Sequence, residues 1–363
     1  MRCKFKEFDD GEFNAVTLNA KTIKEEKEKA RNKELWNLKN AGVYRAWNII
    51  RDELLSQGVD EETAEKISRG DGTNIAIINS GIDYNHEDIT ERFTDNKGYN
   101  FVDNNNFPLD HRGHGTNIAG IVAGELTGVA NRTTLYALKI GMYNDFSSAR
   151  LQRAIKWCID KKDIDLINLS LSEVLYNGEL KKLCMNVHNR GSLIVASAGN
   201  RGSGASFPAR FEEVVSVAAI DEQNYHCEFS TVWPTTDISA PGDIVFTIGQ
   251  KTGNEGYESA YEKTKGTSVA VPLITGTFAL AIAYLKHKEI KYTPKELKQL
   301  LKESAQPISE TDKDIDYAKQ LITGYGFDLI NPSITPQEFL RWAYGAGIVR
   351  ADNFIKEVKK FYS

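Results

Sequence analysis

The sequence predicts an α/β protein with a doubly wound, mostly parallel sheet and helices on both faces. Three observations predict it: short β-branched runs typical of strands, longer amphipathic segments between these runs, and glycine-flanked polar motifs where strands end or helices begin. Continuous apolar strands are typical of a sheet covered on both faces, and helical segments between them favour parallel pairing.

The predicted strands are five mostly apolar runs, at 75–79, 135–140, 165–171, 192–198 and 214–220. Between them, helical patterns around 148–160 and 179–189 are too long for hairpin connections and suit crossover helices. A stretch from Gly266 to Leu285 has 20 residues without a charge, about the length of a membrane span. Its glycine, proline and threonine content instead favours a helix buried at the centre of a large soluble domain.

Composition limits the possible functions. The net charge of −5 gives no basic surface for nucleic acid or an anionic membrane. The cysteines form no C-x-x-C pair, so neither a zinc site nor a disulfide framework is expected. Free thiols, and an N-terminus without the apolar run of a secretory signal, predict a cytoplasmic protein. The four cysteines are Cys3, Cys158, Cys184 and Cys227.

The chain shows no repeat and no linker that would divide it. We expect an N-terminal extension over 1–40 and one large domain over 41–363. Insertions in that domain are expected near 51–70 and 308–343. A charged stretch at 22–38 has a helical pattern, as does the segment 61–69, and such charge runs are usually solvated helix faces.

Three glycine-flanked motifs carry candidate chemistry: N-S-G-I-D at 79–83, H-G-T-N-I-A-G at 114–120 and G-T-S-V-A-V-P at 266–272. In an open parallel sheet, ligands bind in crevices at the carboxyl ends of strands. A nucleophilic hydroxyl needs a base within hydrogen-bond reach, a group that orients the base, and donors for the developing oxyanion. Ser268 can supply the hydroxyl and His114 the base.

Taken in order, these motifs resemble those of the subtilisin-like serine proteases, the subtilase family, in which an acid, a histidine and a serine follow one another along the chain. The order here is Asn79, His114, Ser268. The resemblance covers the chain except before about residue 41 and within 308–343. It continues through I-N-L-S-L at 167–171, S-A-G-N at 197–200, F-P-A at 207–209 and S-A-P-G at 239–242.

The resemblance implies a subtilisin-like fold and peptide-bond hydrolysis through an acyl-enzyme. Ser268 would be the nucleophile and His114 the general base, with the Asn200 side chain and the Ser268 N–H as oxyanion donors. Asn79 stands where the family has a carboxylate. An asparagine keeps the shape, loses the charge and can hold His114 in the wrong tautomer. We therefore expect an intracellular serine endopeptidase whose activity is reduced by Asn79, either as an engineered change or as a natural one; the alternative is an inactive peptide-binding or regulatory protein.

The resemblance also implies where a peptide would bind. The family pairs the substrate backbone with an edge segment, as in β-augmentation. Ser172, where the family often has glycine, is expected to narrow the pocket for the residue that precedes the cut. Arg201 is either a solvated arginine or lies at the rim of that pocket, where it would favour acidic side chains. The implied contacts are Ser170, Leu171, Ser172, Ala198, Gly199 and Arg201.

A metal site is a third interpretation. It would use His86, His111 and His114 with nearby Asp83, Asp88 and Asp110, but no H-E-x-x-H spacing supports it. The chain between Gly124 and Leu135 lacks the longer Asn-rich loop with which many subtilases bind a tight Ca²⁺ ion. We expect that site to be missing and leave open a weak calcium site of scattered loop oxygens. Apart from this weak calcium site, no cofactor is predicted. The expected partner is a peptide or protein substrate.

Overall fold

The computed structural model describes residues 35–141, 146–204, 206–249, 261–308 and 311–363. Nearly all of the predicted N-terminal extension, and of the charged stretch 22–38, lies outside the described residues. The last residues of the predicted extension form a short helix, α1 (Trp36–Asn40), and Leu38 of this helix is buried in the main core.

A parallel sheet forms the centre of the structure, with the strand order β2-β3-β1-β4-β5-β6-β7. β2 and β3 lie on one side of β1, and β4 to β7 lie on the other, so the chain winds in two directions from the middle. This confirms the predicted doubly wound α/β fold. The strands are β1 (Asn74–Asn79), β2 (Gly98–Asn100), β3 (Thr134–Lys139), β4 (Leu166–Leu169), β5 (Leu193–Ser197), β6 (Val214–Ile220) and β7 (Ile238–Pro241).

The five predicted strands are all present, but the one predicted at 165–171 ends at Leu169. Backbone pairing of β4 with its two neighbours stops at Leu169, and the next side chain, Ser170, donates a hydrogen bond to the main-chain oxygen of Ser268, at 2.7 Å. A separate antiparallel pair consists of β8 (Val245–Ile248) and β9 (Tyr261–Thr264).

The predicted helices at 61–69, 148–160 and 179–189 are confirmed within two residues at each end. Asp60 begins the first of them by accepting a hydrogen bond from Thr63 N, the N-cap role that Asp favours. The helices after α1 are α2 (Val43–Ser56), α3 (Glu61–Ser68), α4 (His114–Ala123), α5 (Ser148–Lys161), α6 (Gly178–Asn189), α7 (Thr267–His287), α8 (Pro294–Glu303), α9 (Asp312–Gly324), α10 (Phe327–Ile330), α11 (Pro336–Tyr344) and α12 (Ala351–Phe361).

Helix α7 is the long uncharged segment, and it packs across β4, β5, β6 and β7. By length and composition it could cross a membrane, but 94% of its most apolar window is buried inside the protein. The sheet and the neighbouring helices therefore cover it on all sides, as predicted for a central core helix. Pro272 is tolerated because it lies near the start of the helix, where a missing N–H costs little.

The alternating side chains of β1 divide the interior into two layers. Ile75 and Ile77 face the core that contains α7, and Ala76 and Ile78 face the core under α5 and α6. Leu54, Ala64 and Ile67, from the segment 51–70, are buried in the α7 core. A third cluster joins the segment 308–343 to the main domain through Ile220 and Val232.

His226 is a buried histidine next to this third cluster. Its ring lies 5.7 Å from the ring of Tyr344, and neither ring nitrogen has a hydrogen-bond partner among the described residues. Burial disfavours the charged imidazolium and lowers the pKa of His226 to about 3. The folded protein therefore holds this histidine neutral under conditions in which the unfolded chain protonates it.

We expect His226→Leu to make the protein less sensitive to acid. A histidine whose pKa is depressed by folding destabilises the folded state as pH falls below its unfolded pKa of about 6.5, by about 1.4 kcal/mol per pH unit. Urea denaturation of the variant between pH 7 and pH 4 should show a correspondingly shallower decline in the free energy of unfolding. The exposed His287→Leu variant should keep the parent slope, and a parental slope for His226→Leu would contradict the assignment.

Candidate active site

Asn79 and His114 meet where β1 ends and α4 begins. The Asn79 side-chain oxygen Oδ1 lies 2.8 Å from His114 Nδ1, and it also accepts the main-chain N–H of Ser80 at 2.8 Å. Because only an oxygen can accept from Ser80, the amide oxygen faces the imidazole. Asn79 Nδ2 is buried without a hydrogen-bond partner in the described part of the chain.

This orientation determines the tautomer of His114. An amide oxygen facing Nδ1 requires a proton on that nitrogen, which leaves the Nε2 lone pair free to accept a proton. The expectation that Asn79 holds the wrong tautomer is therefore wrong for this geometry, and the Ser80 N–H is the reason. Burial lowers the pKa of His114 to about 4, against a smaller raising effect of Asp110, so the imidazole is neutral at neutral pH.

Ser268 occupies the second position of α7, where the main-chain N–H groups of the first turn have no partners within the helix. Its side chain is partly exposed, unlike those of its neighbours Thr267 and Val269. Gly266, which precedes the helix with φ +142°, is required here. A Cβ at this position would lie 2.9 Å from Ser268 Oγ and 3.3 Å from Asn200 Nδ2, so the absence of a side chain leaves open the space between these two groups.

Asn200 is held by its oxygen and presents its nitrogen. Asn200 Oδ1 accepts hydrogen bonds from Thr267 N at 2.9 Å and from Thr267 Oγ1 at 2.7 Å. The amide nitrogen is thereby directed to the side where Ser268 Oγ lies. Two donors, Asn200 Nδ2 and the Ser268 N–H, are available there, at the positive end of the α7 dipole.

A buried polar chain supports Ser268 from behind. Thr275 donates to Asn168 Oδ1 at 2.9 Å, and Asn168 Nδ2 donates to Ser170 Oγ, also at 2.9 Å. Ser170 in turn donates to the main-chain oxygen of Ser268. The sequence motifs contained Asn168 but did not indicate this role, which depends on a contact between residues 107 positions apart.

The implied peptide contacts lie beyond the ends of β4 and β5. Residues 170–172 follow β4 outside any strand, and Ser172 is exposed, so this segment offers an unpaired backbone edge. Ala198 and Gly199 are buried along the neighbouring segment after β5. Arg201 is exposed, and its main-chain N–H donates to Thr231 Oγ1 at 3.2 Å. Ser170 itself points away from this edge, toward α7.

The candidate metal residues are engaged in other interactions. Asp110 Oδ2 accepts from Thr116 N at 3.0 Å and from Thr116 Oγ1 at 2.7 Å, and Asp88 Oδ1 accepts from Tyr261 at 3.0 Å. His86 Nδ1 accepts the Asp88 N–H at 3.1 Å, and His111 is exposed. Over the described ranges, no three His, Cys, Asp or Glu side chains are grouped to hold a metal ion.

The comparison with protein families agrees with this geometry. The model of the subtilase family, Peptidase S8, matches residues 70–326. This chain belongs to the subtilase family. The matched range contains the whole sheet and every residue of the candidate site from Asn79 to Ser268.

Relatives and solved structures agree on the fold of this subtilase. It is 34% identical over 262 residues to the thermophilic serine proteinase of Bacillus sp. strain AK1, with 68% of this chain and 60% of that protein covered. Thermitase of Thermoactinomyces vulgaris is 30% identical over 233 residues, which is 62% of this chain and 80% of that protein. The chain spans 45% to 63% of the length of the first three relatives.

Two crystal structures share the architecture. A cold adapted subtilisin-like serine proteinase has 25% identity and a TM-score of 0.58, with 67% of this chain and 86% of that chain covered. A lanthipeptide protease has 20% identity and a TM-score of 0.65, with 89% of this chain and 98% of that chain covered. At its lower identity, the second likeness supports the fold alone.

The loop after α4, where many subtilases have calcium, contains an ion-pair network. Arg132 Nη1 lies 2.5 Å from Glu125 Oε2, and the buried Arg92 lies 3.5 Å from the same oxygen. Arg92 also donates to the main-chain oxygen of Asn131. The loop carboxylate is thus neutralised by two guanidinium groups, and this arrangement does not fit a tightly bound divalent cation.

Chelation is therefore expected to change the melting temperature little. Guanidinium groups hold the loop where a cation would otherwise be needed, so EDTA has no tight ion to remove. Thermal unfolding with EDTA, with EDTA and excess Ca²⁺, and without additions tests this. A large drop in EDTA, reversed by Ca²⁺ but not by Mg²⁺, would reveal a strong calcium site elsewhere in the protein.

Proposed function

We propose that this subtilase is a serine endopeptidase that hydrolyses peptide bonds through an acyl-enzyme, at a rate reduced by Asn79. One observation carries the proposal: Asn79 orients His114 at the start of α4, α4 packs against α7, and Ser268 in the first turn of α7 lies beside two candidate oxyanion donors. This combination of nucleophile, base and donors is what acyl transfer requires.

In the proposed mechanism, Ser268 Oγ attacks the carbonyl carbon of the scissile bond as His114 Nε2 takes the hydroxyl proton. The carbonyl oxygen becomes an oxyanion, which Asn200 Nδ2 and the Ser268 N–H stabilise by hydrogen bonds. His114 then gives the proton to the leaving amine, and the acyl group stays on Ser268. Water activated by His114 attacks the ester, and the acid product and free serine result.

Asn79 limits this mechanism through its charge. The amide oxygen orients His114 correctly, but a neutral amide stabilises the imidazolium formed during attack less than a carboxylate does. Retention of Ser268, His114 and Asn200 supports a protein built for catalysis. The competing function, a peptide-binding or regulatory protein without catalysis, uses the same crevice, and the experiments below separate the two.

The proposed substrate is a peptide in extended conformation. Residues 170–172 offer free backbone groups on a segment that continues β4, so a peptide can add to it as a strand. Side chains at alternate positions of the peptide would then enter the crevice between this segment and residues 198–200.

We also propose that the protein acts in the cytoplasm. The support is that the described cysteines, Cys158, Cys184 and Cys227, are all free and buried, and free thiols are common in reducing compartments. A relative matched by this chain is named an extracellular protease. Cell fractionation followed by immunoblotting would decide the location.

We expect Ser268→Ala to abolish peptide cleavage and labelling by a fluorophosphonate probe, because the nucleophile is lost. The fold should be retained, since a hydroxyl at a partly exposed position is removed without creating a cavity. Labelling, peptide cleavage and thermal unfolding should be measured together, with the exposed Ser56→Ala as the control. Cleavage by Ser268→Ala at the parental rate would exclude Ser268 as the nucleophile.

We expect Asn79→Asp to raise kcat, by less than the factor of about 10⁴ that an amide costs in serine proteases when it also imposes the wrong tautomer, because here only the charge behind His114 changes. The change in KM should be small, because residue 79 touches His114 and not the peptide. Steady-state kinetics of both proteins on one peptide measure this. A variant as slow as the parent would favour the peptide-binding function.

The same pair of proteins should differ in pH profile. The half-buried His114 has a pKa of about 4 in the parent, lowered by desolvation, so kcat/KM should rise with pH through that region as the imidazole becomes neutral. In Asn79→Asp, a carboxylate beside the imidazole favours the charged form and raises the pKa. The acid limb of kcat/KM should therefore move to higher pH, and an unmoved limb would contradict this coupling.

A further inference from the structure

Glu173 carries a buried carboxylate oxygen that nothing in the mechanism uses. It directly follows the segment 170–172, and its backbone exchanges two hydrogen bonds of 2.8 Å with Phe207. Its Oε1 atom is shielded from solvent and has no hydrogen-bond partner in any described part of the chain. A carboxylate oxygen in that condition is costly unless it is paired.

The position of Glu173 relates it to the crevice beside Ser268. On the other wall, Gly199 has φ +108° and approaches the Ser206 side chain so closely that a Cβ would collide with Ser206 Oγ. The next residue, Phe207, pairs with Glu173. Residues 206–207 therefore contact both segments, the one that follows β4 and the one that follows β5.

Glu173 is also within reach of a bound side chain. It lies three residues beyond Ser170, whose hydroxyl contacts the Ser268 main chain. An extended chain advances about 3.3 Å per residue, so the two Cα atoms are at most about 10 Å apart. A long side chain that enters the crevice next to Ser268 can approach a glutamate at this distance.

The neighbouring cations do not neutralise this carboxylate. The Arg210 guanidinium lies 4.6 Å from the centre of the Trp233 ring, and Lys181 forms an ion pair with Glu213. Glu173 Oε1 is therefore left without a hydrogen-bond partner among the described residues, although the Arg210 guanidinium lies 5.9 Å from the centre of the Phe207 ring. A cation delivered by a ligand would satisfy this oxygen.

We propose that Glu173 selects peptides with lysine or arginine at the residue that precedes the scissile bond. The inference rests on the proposed function, because it assigns a substrate class to the same crevice. The ammonium or guanidinium group would pair with Oε1 in a site sheltered from water, where charged hydrogen bonds are strong. The exposed Arg201 predicts the opposite, a weak preference for acidic side chains, so a comparison of lysine and glutamate compounds decides between the two residues.

Peptidyl phosphonates, which label active serines covalently, test the charge preference directly. The pair compared carries lysine or its uncharged isostere norleucine at the residue next to the phosphonate. We expect the parent to react about tenfold faster or more with the lysine compound, the scale of one charged hydrogen bond. Glu173→Gln should bring the ratio near one, and Glu173→Lys should invert the preference toward a glutamate compound.

Two controls separate this role from a structural one. Glu179→Gln removes an exposed carboxylate on α6 and should keep the parental ratio. Glu173→Gln should melt at or above the parental temperature, because it removes a carboxylate with a buried, unpaired oxygen. If Glu173 had a structural role, the same substitution would lower the melting temperature. A lowered melting temperature with an unchanged labelling ratio overturns the proposal.

The outcomes also distinguish the proposal from the function on which it rests. If a fluorophosphonate labels Ser268 but the parent shows no lysine preference, the protease function stands and the role of Glu173 is refuted. A preference for acidic side chains that disappears in Arg201→Ala would refute the role of Glu173 and assign the selectivity to Arg201. If no probe labels Ser268, the proposed function fails and the assignment of Glu173 fails with it.

Discussion

The packing of helix α7 across the sheet is the constraint on which the rest of the structure depends. The helix is apolar on all sides, so it is stable only where β4 to β7 and the surrounding helices cover it. Its first turn must then lie at the carboxyl ends of the central strands. Ser268 is thereby brought to the crevice where the sheet changes winding direction, and the site is a consequence of burying the helix.

Burial of this helix also forces the polar groups around it to pair. Asn168, Ser170 and Thr275 form an internal chain in which donors meet acceptors, as expected for a region without water. That chain fixes the main chain at Ser268. Positioning of the candidate nucleophile is thus built into the core.

Several buried polar atoms of the described residues break this rule, among them Asn79 Nδ2, Glu173 Oε1 and the ring nitrogens of His226. Glu173 Oε1 and Asn79 Nδ2 belong to residues beside the candidate site. The unpaired oxygen of Glu173 is available to a substrate, and the unpaired nitrogen of Asn79 marks a position better suited to a carboxylate. His226 lies away from that site, and its consequence is limited to acid sensitivity. Unsatisfied polar atoms therefore point to different properties according to where they lie in the fold.

The sequence by itself determined the fold class and the central helix and indicated His114, Ser268 and Asn200 as candidate site residues, because strand periodicity and glycine-flanked motifs are local features. It placed the end of β4 two residues too late, since the strand ends where its backbone pairing with β1 and β5 stops. The tautomer of His114 followed from the Ser80 N–H, a contact visible only in three dimensions. The role of Asn168 and the isolation of Glu173 were likewise decided by tertiary structure, because pairing and burial depend on residues that are distant in the chain.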